Sequence, residues 1–180
     1  MEAAAERLRI VRSRRLTLVA ANPELVRADL DGRDVLQDVL GSDVPDNWPP
    51  ELFDRTTMGY ILEEIPDNRV DGWSTWYVVL TGSNELAGIC DFKGRPDEAG
   101  SVEISYSVLE QFRGNGLATE ATMRLIAWAF THLEVSEVCA ETFPHLKSSI
   151  RVLEKNGMKL TGPGSENGVI RYAVGRPDGR

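Results

Sequence analysis

The sequence predicts a mixed α+β fold, a central and mostly antiparallel sheet with helices on both faces. Three observations lead there. The first third of the chain is dominated by capped helical segments. Three short β-rich runs then follow one another between residues 73 and 108, separated by turn residues. The last of these, Ser101 to Val108, leads through a glycine turn into a long apolar-faced helix.

Taken in order, residues 8 to 20 alternate through Leu8, Ile10 and Leu16-Thr17-Leu18-Val19. This reads as a first strand whose solvated face carries the arginines found between Arg7 and Arg15. Asn22-Pro23-Glu24 supplies a cap, a first-turn proline and a carboxylate suited to the helix dipole, opening a helix to Asp31 that Gly32 ends. Asp34 to Leu40 repeats the pattern with Val35, Leu36, Val39 and Leu40 on one side, and Gly41 stops it. Ser42 to Pro50, with Pro45, Trp48, Pro49 and Pro50, excludes regular structure; Trp48 there either anchors packing or lines a binding cleft. A third helix is expected over 51 to 65, from Leu52, Phe53, Met58, Ile61, Leu62 and Ile65, with Pro66-Asp67-Asn68 as its stop.

Strands are expected at Trp73 to Leu80, Leu86 to Lys93, Val102 to Val108 and Val135 to Thr142. That order gives an antiparallel meander, then one crossover through a helix over 117 to 133 to a parallel strand. The buried stripe of the crossover helix is Leu117, Ala118, Ala121, Leu125, Trp128, Ala129 and Leu133. A last helix from Lys147 to Asn156 closes at Gly157, strands follow at Met158 to Thr161 and Val169 to Val174, and the tail after Gly175 reads as loose.

With 180 residues and 42% hydrophobic content, the chain is expected to form one domain over residues 1–180. A net charge of −8 argues against nucleic acid as the main partner and favours cationic ligands. No apolar stretch approaches a membrane span, the longest being Leu125 to Phe130, and no signal peptide is recognisable, so no membrane partner is expected and the location is expected to be cytoplasmic. Cys90 and Cys139 lie in apolar strand-like runs and read as reduced core residues. His132 and His145 are too few and too far apart for a metal cluster, so no metal is expected; His132 suits a contact at a helix end.

The turn between strand and helix reads Gln111-Phe112-Arg113-Gly114-Asn115-Gly116-Leu117-Ala118. Unpaired N–H groups at a helix start, together with the helix dipole, stabilise an anion, so a phosphorylated cofactor is expected. A Walker loop would need Gly-Lys-Ser/Thr, yet Leu117 and Ala118 follow Gly116. A dinucleotide fingerprint would need a third small residue where Thr119 stands, and a following βαβ repeat.

This segment resembles the GNAT superfamily of acyl-CoA-dependent N-acetyltransferases, whose pyrophosphate loop has the pattern Gln/Arg-x-x-Gly-x-Gly/Ala, here Gln111, Gly114 and Gly116. The likeness extends over roughly residues 85 to 160. Phe92-Lys93-Gly94-Arg95-Pro96-Asp97, Val102-Glu103-Ile104-Ser105-Tyr106 and the run from Ser149 to Met158 are similar to the branch that includes the ribosomal-protein N-terminal acetyltransferases. It implies a GNAT-like sheet and acetyl-CoA as cosubstrate. It further implies that Val108 and Leu109 contact the pantetheine arm, and that Arg113, Gly114, Asn115, Gly116, Leu117 and Ala118 cradle the pyrophosphate. The acceptor is then an amine, either a small molecule or a peptide N-terminus. Oligomeric state is not fixed by the sequence, and a homodimer is among the assemblies it allows.

Strand 101 to 108 turns Val102, Ile104, Tyr106 and Val108 one way and Ser101, Glu103, Ser105 and Ser107 the other. If helices cover both faces, that polar row implies a cleft. Glu103, with Glu141 near the end of the next strand, is a candidate general base, since an ammonium must lose a proton before it can attack a thioester. A free N–H near Ser107 or Val108 would meet the oxyanion. Many relatives carry an asparagine and a tyrosine general acid in the last helix; aligned on Gly157, those positions hold Leu146 and Leu153. Tyr106 points away from Glu103 and is no substitute, so water would protonate the leaving thiolate. Cys139 and Ser149 lack an activating histidine and are not expected to carry an acyl group. The alternative to an N-acetyltransferase is an acyl-CoA-binding sensor or catalytically silent module.

Overall fold

A computed structural model of the chain describes residues 8–65 and 71–177. The elements are β1 (Ile10–Arg12), β2 (Leu16–Ala20), α1 (Pro23–Asp31), α2 (Arg33–Leu40), α3 (Arg55–Glu64), β3 (Thr75–Leu80), β4 (Leu86–Phe92), β5 (Ser101–Val108), α4 (Leu117–Ala129), β6 (Glu137–Thr142), α5 (Lys147–Lys155), β7 (Lys159–Pro163) and β8 (Ile170–Gly175). They form an eight-stranded sheet of order β1-β2-β3-β4-β5-β6-β8-β7, antiparallel except between β5 and β6. The predicted meander and single parallel crossover are therefore present.

The helix starts follow local chemistry. Asn22 caps α1 by accepting from the Leu25 amide at 2.8 Å, and Gly32 ends it. Asp54 caps α3, accepting from Thr57 N at 2.9 Å. The third helix thus begins at Arg55, not at 51, because Leu52 takes φ 76° in the preceding turn and is exposed. The Pro66-Asp67-Asn68 stop and residues 178–180 lie outside the described residues.

The sheet carries two cores. One packs α4 and α5 against Leu16, Leu18, Trp76, Val78, Cys90, Phe92, Val102, Ile104, Val138 and Ala140. The other packs α1, α2 and α3 against Val19, Tyr77, Val79, Leu86 and Ile89, and receives nothing from β5, β6 or β8. On the second face, half the sheet consequently carries no helix among the described residues.

Several expectations are corrected. The first strand is a hairpin, β1 with β2, broken at Ser13, whose hydroxyl and backbone bond back to Leu16. Of the apolar side of α2 only Leu36 is buried; Val35 and Val39 are exposed because an eight-residue helix at the edge of the layer has one contact line. Leu133 is 92% exposed, since α4 ends at Ala129 and the chain turns before that residue could face the sheet. Trp73 precedes β3 and is buried among Phe92, Trp128 and His132. The chain just past Gly175 is not loose: the Arg176 guanidinium donates to the carbonyls of Phe130, His132 and Val135 beyond the end of α4. Among the described residues no helix is long and apolar enough to cross a membrane.

Candidate active site

The turn before α4 is built from both ends. Gly114 and Gly116 adopt φ 77° and 74°, a left-handed conformation that costs a residue with a Cβ about 1–2 kcal/mol, so glycine is dictated by the backbone and not by crowding. From 100 positions away, Arg15 donates to the Asn115 carbonyl at 2.9 Å. Because the peptide is planar and trans, holding that carbonyl against Arg15 turns the Gly116 N–H away from Arg15. Arg15 is fixed in turn by Glu120 on the first turn of α4, at 2.7 Å, and Glu120 also accepts from Ser13 Oγ and Arg15 N. Burial works to raise the Glu120 carboxyl, but these bonds outweigh it and hold it below its usual range. A cavity of about 320 Å³ flanks the turn, lined by Ser13, Arg14, Gly116, Thr119, Glu120, Met123 and Lys155.

Gly114, Asn115 and Gly116 are exposed, Ala118 is half-buried and Leu117 is buried. Arg113 departs from a simple cradle: its amide donates to Glu110 O at 3.1 Å, its Nε to Val108 O at 2.9 Å, and its Nη2 pairs with Glu51. Leu109 is buried and its amide is engaged by Ala87 O at 2.9 Å. Gln111 exchanges two hydrogen bonds with Asn47, at 2.9 and 3.0 Å, tying the turn to the 42–54 loop.

β5 and β6 pair only over Ser101–Glu103 with Glu137–Cys139 and then part, leaving a gap beside Ser105 and Ser107. Close approach on the other side fixes this edge: at Gly88 an added Cβ would stand 2.4 Å from Ser107 O, so β4 presses on the end of β5 as only glycine allows. On the helix-free face, Glu103 has a quarter of its side chain exposed and its carboxylate is held by the Lys93 ammonium. Glu141 is half-buried and held by Ser165, whose N–H and O–H donate at 2.8 and 2.6 Å. Cys139, beside Glu103 in register, is buried with a thiol that burial pushes up, and Cys90 is buried on the opposite face.

Trp48 is anchored by packing and also borders a cavity. Its Nε1 donates to Asp29 at 2.8 Å, and its ring walls a cavity of about 200 Å³ with Asp29, Arg33, Phe53, Arg55 and Met58. Neither glutamate lines that cavity. Tyr106 turns to α5 and bonds Ser149, with burial pushing its hydroxyl up to about 12. Leu153 is fully buried in the core, and Leu146 is exposed.

One residue of this face was missed by sequence reasoning. Asp91 sits near the end of β4, 9% exposed, accepting from Thr75 Oγ1 at 2.9 Å. An aspartate inside the otherwise apolar run Leu86 to Phe92 was the available signal.

Comparison with known proteins agrees with this architecture. Residues 16–159 match the acetyltransferase (GNAT) domain family. The chain is 29% identical over 127 residues to the N-acetyltransferase YjdG of Bacillus subtilis, covering 71% of this chain and 76% of the relative. It is 27% identical over 103 residues to the N-acetyltransferase p20 of Bacillus licheniformis, covering 57% and 58%. Among solved structures, the ribosomal L7/L12 alpha-N-protein acetyltransferase RimL in complex with coenzyme A superposes with a TM-score of 0.67 at 20% identity, over 93% of this chain and 98% of that one. The ribosomal-protein-S5-alanine acetyltransferase of Vibrio fischeri superposes with a TM-score of 0.67 at 16% identity, over 94% and 98%. At such identities the two structures speak for the fold, and the family match speaks for the chemistry. The chain is an acetyltransferase and belongs to the GNAT family.

Proposed function

We propose that the protein transfers the acetyl group of acetyl-CoA to a primary amine, a protein N-terminus or a small amine, by direct attack. The observation that carries this reading is the coincidence, at one end of β5, of an exposed glycine turn at the start of α4 and a gap between β5 and β6 bordered by carboxylates. The diphosphate fits the exposed amides of Gly114, Asn115 and Gly116, with Leu117 and Ala118 completing the helix start. Arg14 and Lys155 on the flanking cavity add positive charge for the phosphates. The pantetheine arm then runs along the end of β5 past Val108 and Leu109, which requires Arg113 to release the Val108 carbonyl and turn toward the phosphates.

In this reading Glu103 and Glu141 form the acidic wall that attracts the acceptor ammonium, and Glu103 assists its deprotonation by holding it in place while a carboxylate of this face takes the proton. Nitrogen attacks the thioester carbon, the C–N bond forms, the C–S bond breaks, and sulfur leaves as thiolate, which water protonates. No acyl-enzyme is formed. That the RimL-like structures are named for protein N-termini favours a peptide acceptor.

The test is thiol release from acetyl-CoA across a panel of amines and peptides. Turnover with at least one acceptor, reduced about 10- to 100-fold in Glu103→Gln, supports the proposal. An unchanged rate in that variant removes Glu103 from the catalytic machinery. Tight CoA binding without turnover on any acceptor favours instead an acyl-CoA-binding sensor.

A further inference from the structure

Of the carboxylates that border the helix-free face, Glu103 is held by Lys93, Glu137 by Arg171 and Ser101, and Glu141 by Ser165. Asp91 is different. One of its oxygens accepts from Thr75, the other has no hydrogen-bond partner among the described residues, and no cation pairs with it there. Its cross-strand partner is Ser105, the first residue of this face beyond the point where β5 and β6 part, and the Ser105 hydroxyl is likewise without a partner among the described residues. The row Thr75, Asp91, Ser105 therefore runs across β3, β4 and β5 from the interior to the gap.

Resting on the acetyl transfer proposed above, we infer that Asp91 is the terminal acceptor of the proton lost by the acceptor ammonium, with the Ser105 hydroxyl bridging it to the gap. The ammonium gives one proton to Ser105 as Ser105 gives its own to the Asp91 carboxylate, so the serine is unchanged and the nitrogen gains a free pair. That pair forms the C–N bond, and the C–S pair leaves on sulfur. Water protonates the thiolate and takes up the second nitrogen proton, and Asp91 returns its proton to water once product leaves.

The surroundings suit this role. Burial raises the Asp91 carboxyl to about 7, against the Thr75 hydrogen bond and the Lys93 charge, while Glu64 on α3 and Glu103 on β5 push it further up. Accepting a proton from an α-amine, whose ordinary pKa is about 8, is uphill by only about one unit, compared with about three for an alkylamine near 10.4. Asp91 thus favours N-terminal amines over lysine-like ones. Glu103, paired with Lys93, then serves to attract and orient the acceptor.

The experiment measures kcat from pH 5.5 to 9 for the wild type, Asp91→Asn and Glu103→Gln, alongside the carboxyl ¹³C titration of the free protein. The expected result is an acidic limb centred near pH 7 in the wild type, lost in Asp91→Asn with kcat down about 100-fold, and kept in Glu103→Gln. Survival of the limb and rate in Asp91→Asn, or loss of the limb in Glu103→Gln, overturns the inference. If Asp91→Asn fails to fold, Thr75→Val decides: losing that donor moves the midpoint upward, and an unmoved midpoint is refutation. If the wild type turns over no acceptor, the proposed function fails first. The carboxyl titration still judges Asp91, and a midpoint in the ordinary carboxylate range overturns its role.

Discussion

Gly88→Ala is the sharpest probe of how the sheet shapes the gap. A Cβ at residue 88 would stand 2.4 Å from Ser107 O and 3.0 Å from Val108 Cα, both backbone atoms, where ordinary contact begins at 3.4 Å. The end of β5 must therefore shift by about 1 Å, and no side-chain rotation can relieve the clash. Overpacking of this kind costs about 1–3 kcal/mol, which for a chain of this length lowers Tm by about 2–12 °C. The functional effect should exceed what stability alone explains. Ser107 and Val108 flank the gap where the thioester is proposed to lie, and a misplacement of about 1 Å there can cost about 100-fold in kcat. The assay is thiol release with the best acceptor from the panel, at a temperature well below the variant's Tm, together with CoA affinity by calorimetry. We expect kcat to fall about 100-fold while affinity for the distant diphosphate changes little. A variant with wild-type kcat and a Tm within about 1 °C would refute the reasoning, because it would mean that β4 does not hold β5 in place.

Two further outcomes follow from the same geometry. Glu120 has its carboxyl held below the ordinary value of 4.5, so it contributes stability that is present above that pH and lost as pH falls through the lower, folded-state value. The Tm deficit of Glu120→Gln, worth no more than about 1 kcal/mol because its Arg15 partner is exposed to solvent, should be seen at pH 7 and vanish well below pH 4.5; a deficit constant from pH 3 to 7 would contradict this. Leu153→Tyr, which places the family's tyrosine at its aligned position, should lower Tm through overpacking by about 1–3 kcal/mol and leave kcat no higher, because Leu153 is buried under the sheet; a faster variant would show that the phenol reaches the leaving sulfur.

Much of the fold was legible because its signals are local. The Asn22 cap, the left-handed glycines of the turn and the alternation of β5 each act within a few residues, and each is found where the sequence put it. Errors arose where local pattern and tertiary context compete. Leu52 and Phe53 continue a helical periodicity that Asp54 interrupts by capping, and Leu133 falls on the α4 stripe although the helix has already ended. The site was less legible. Glu103 stands out on a strand of alternating character, but its Lys93 partner comes from the neighbouring strand. Asp91 shows in the sequence as an acid inside an apolar run, but its buried hydrogen bond exists only because β3 supplies Thr75.

By itself the sequence determined the secondary elements, the glycine turn and the crossover order, since backbone dihedral preferences and side-chain periodicity operate over short stretches. Only the tertiary structure decided which acids are paired, which one is buried and how the turn is aimed. Those properties depend on contacts such as Arg15 with Asn115, 100 positions apart, and on desolvation that no single segment produces alone.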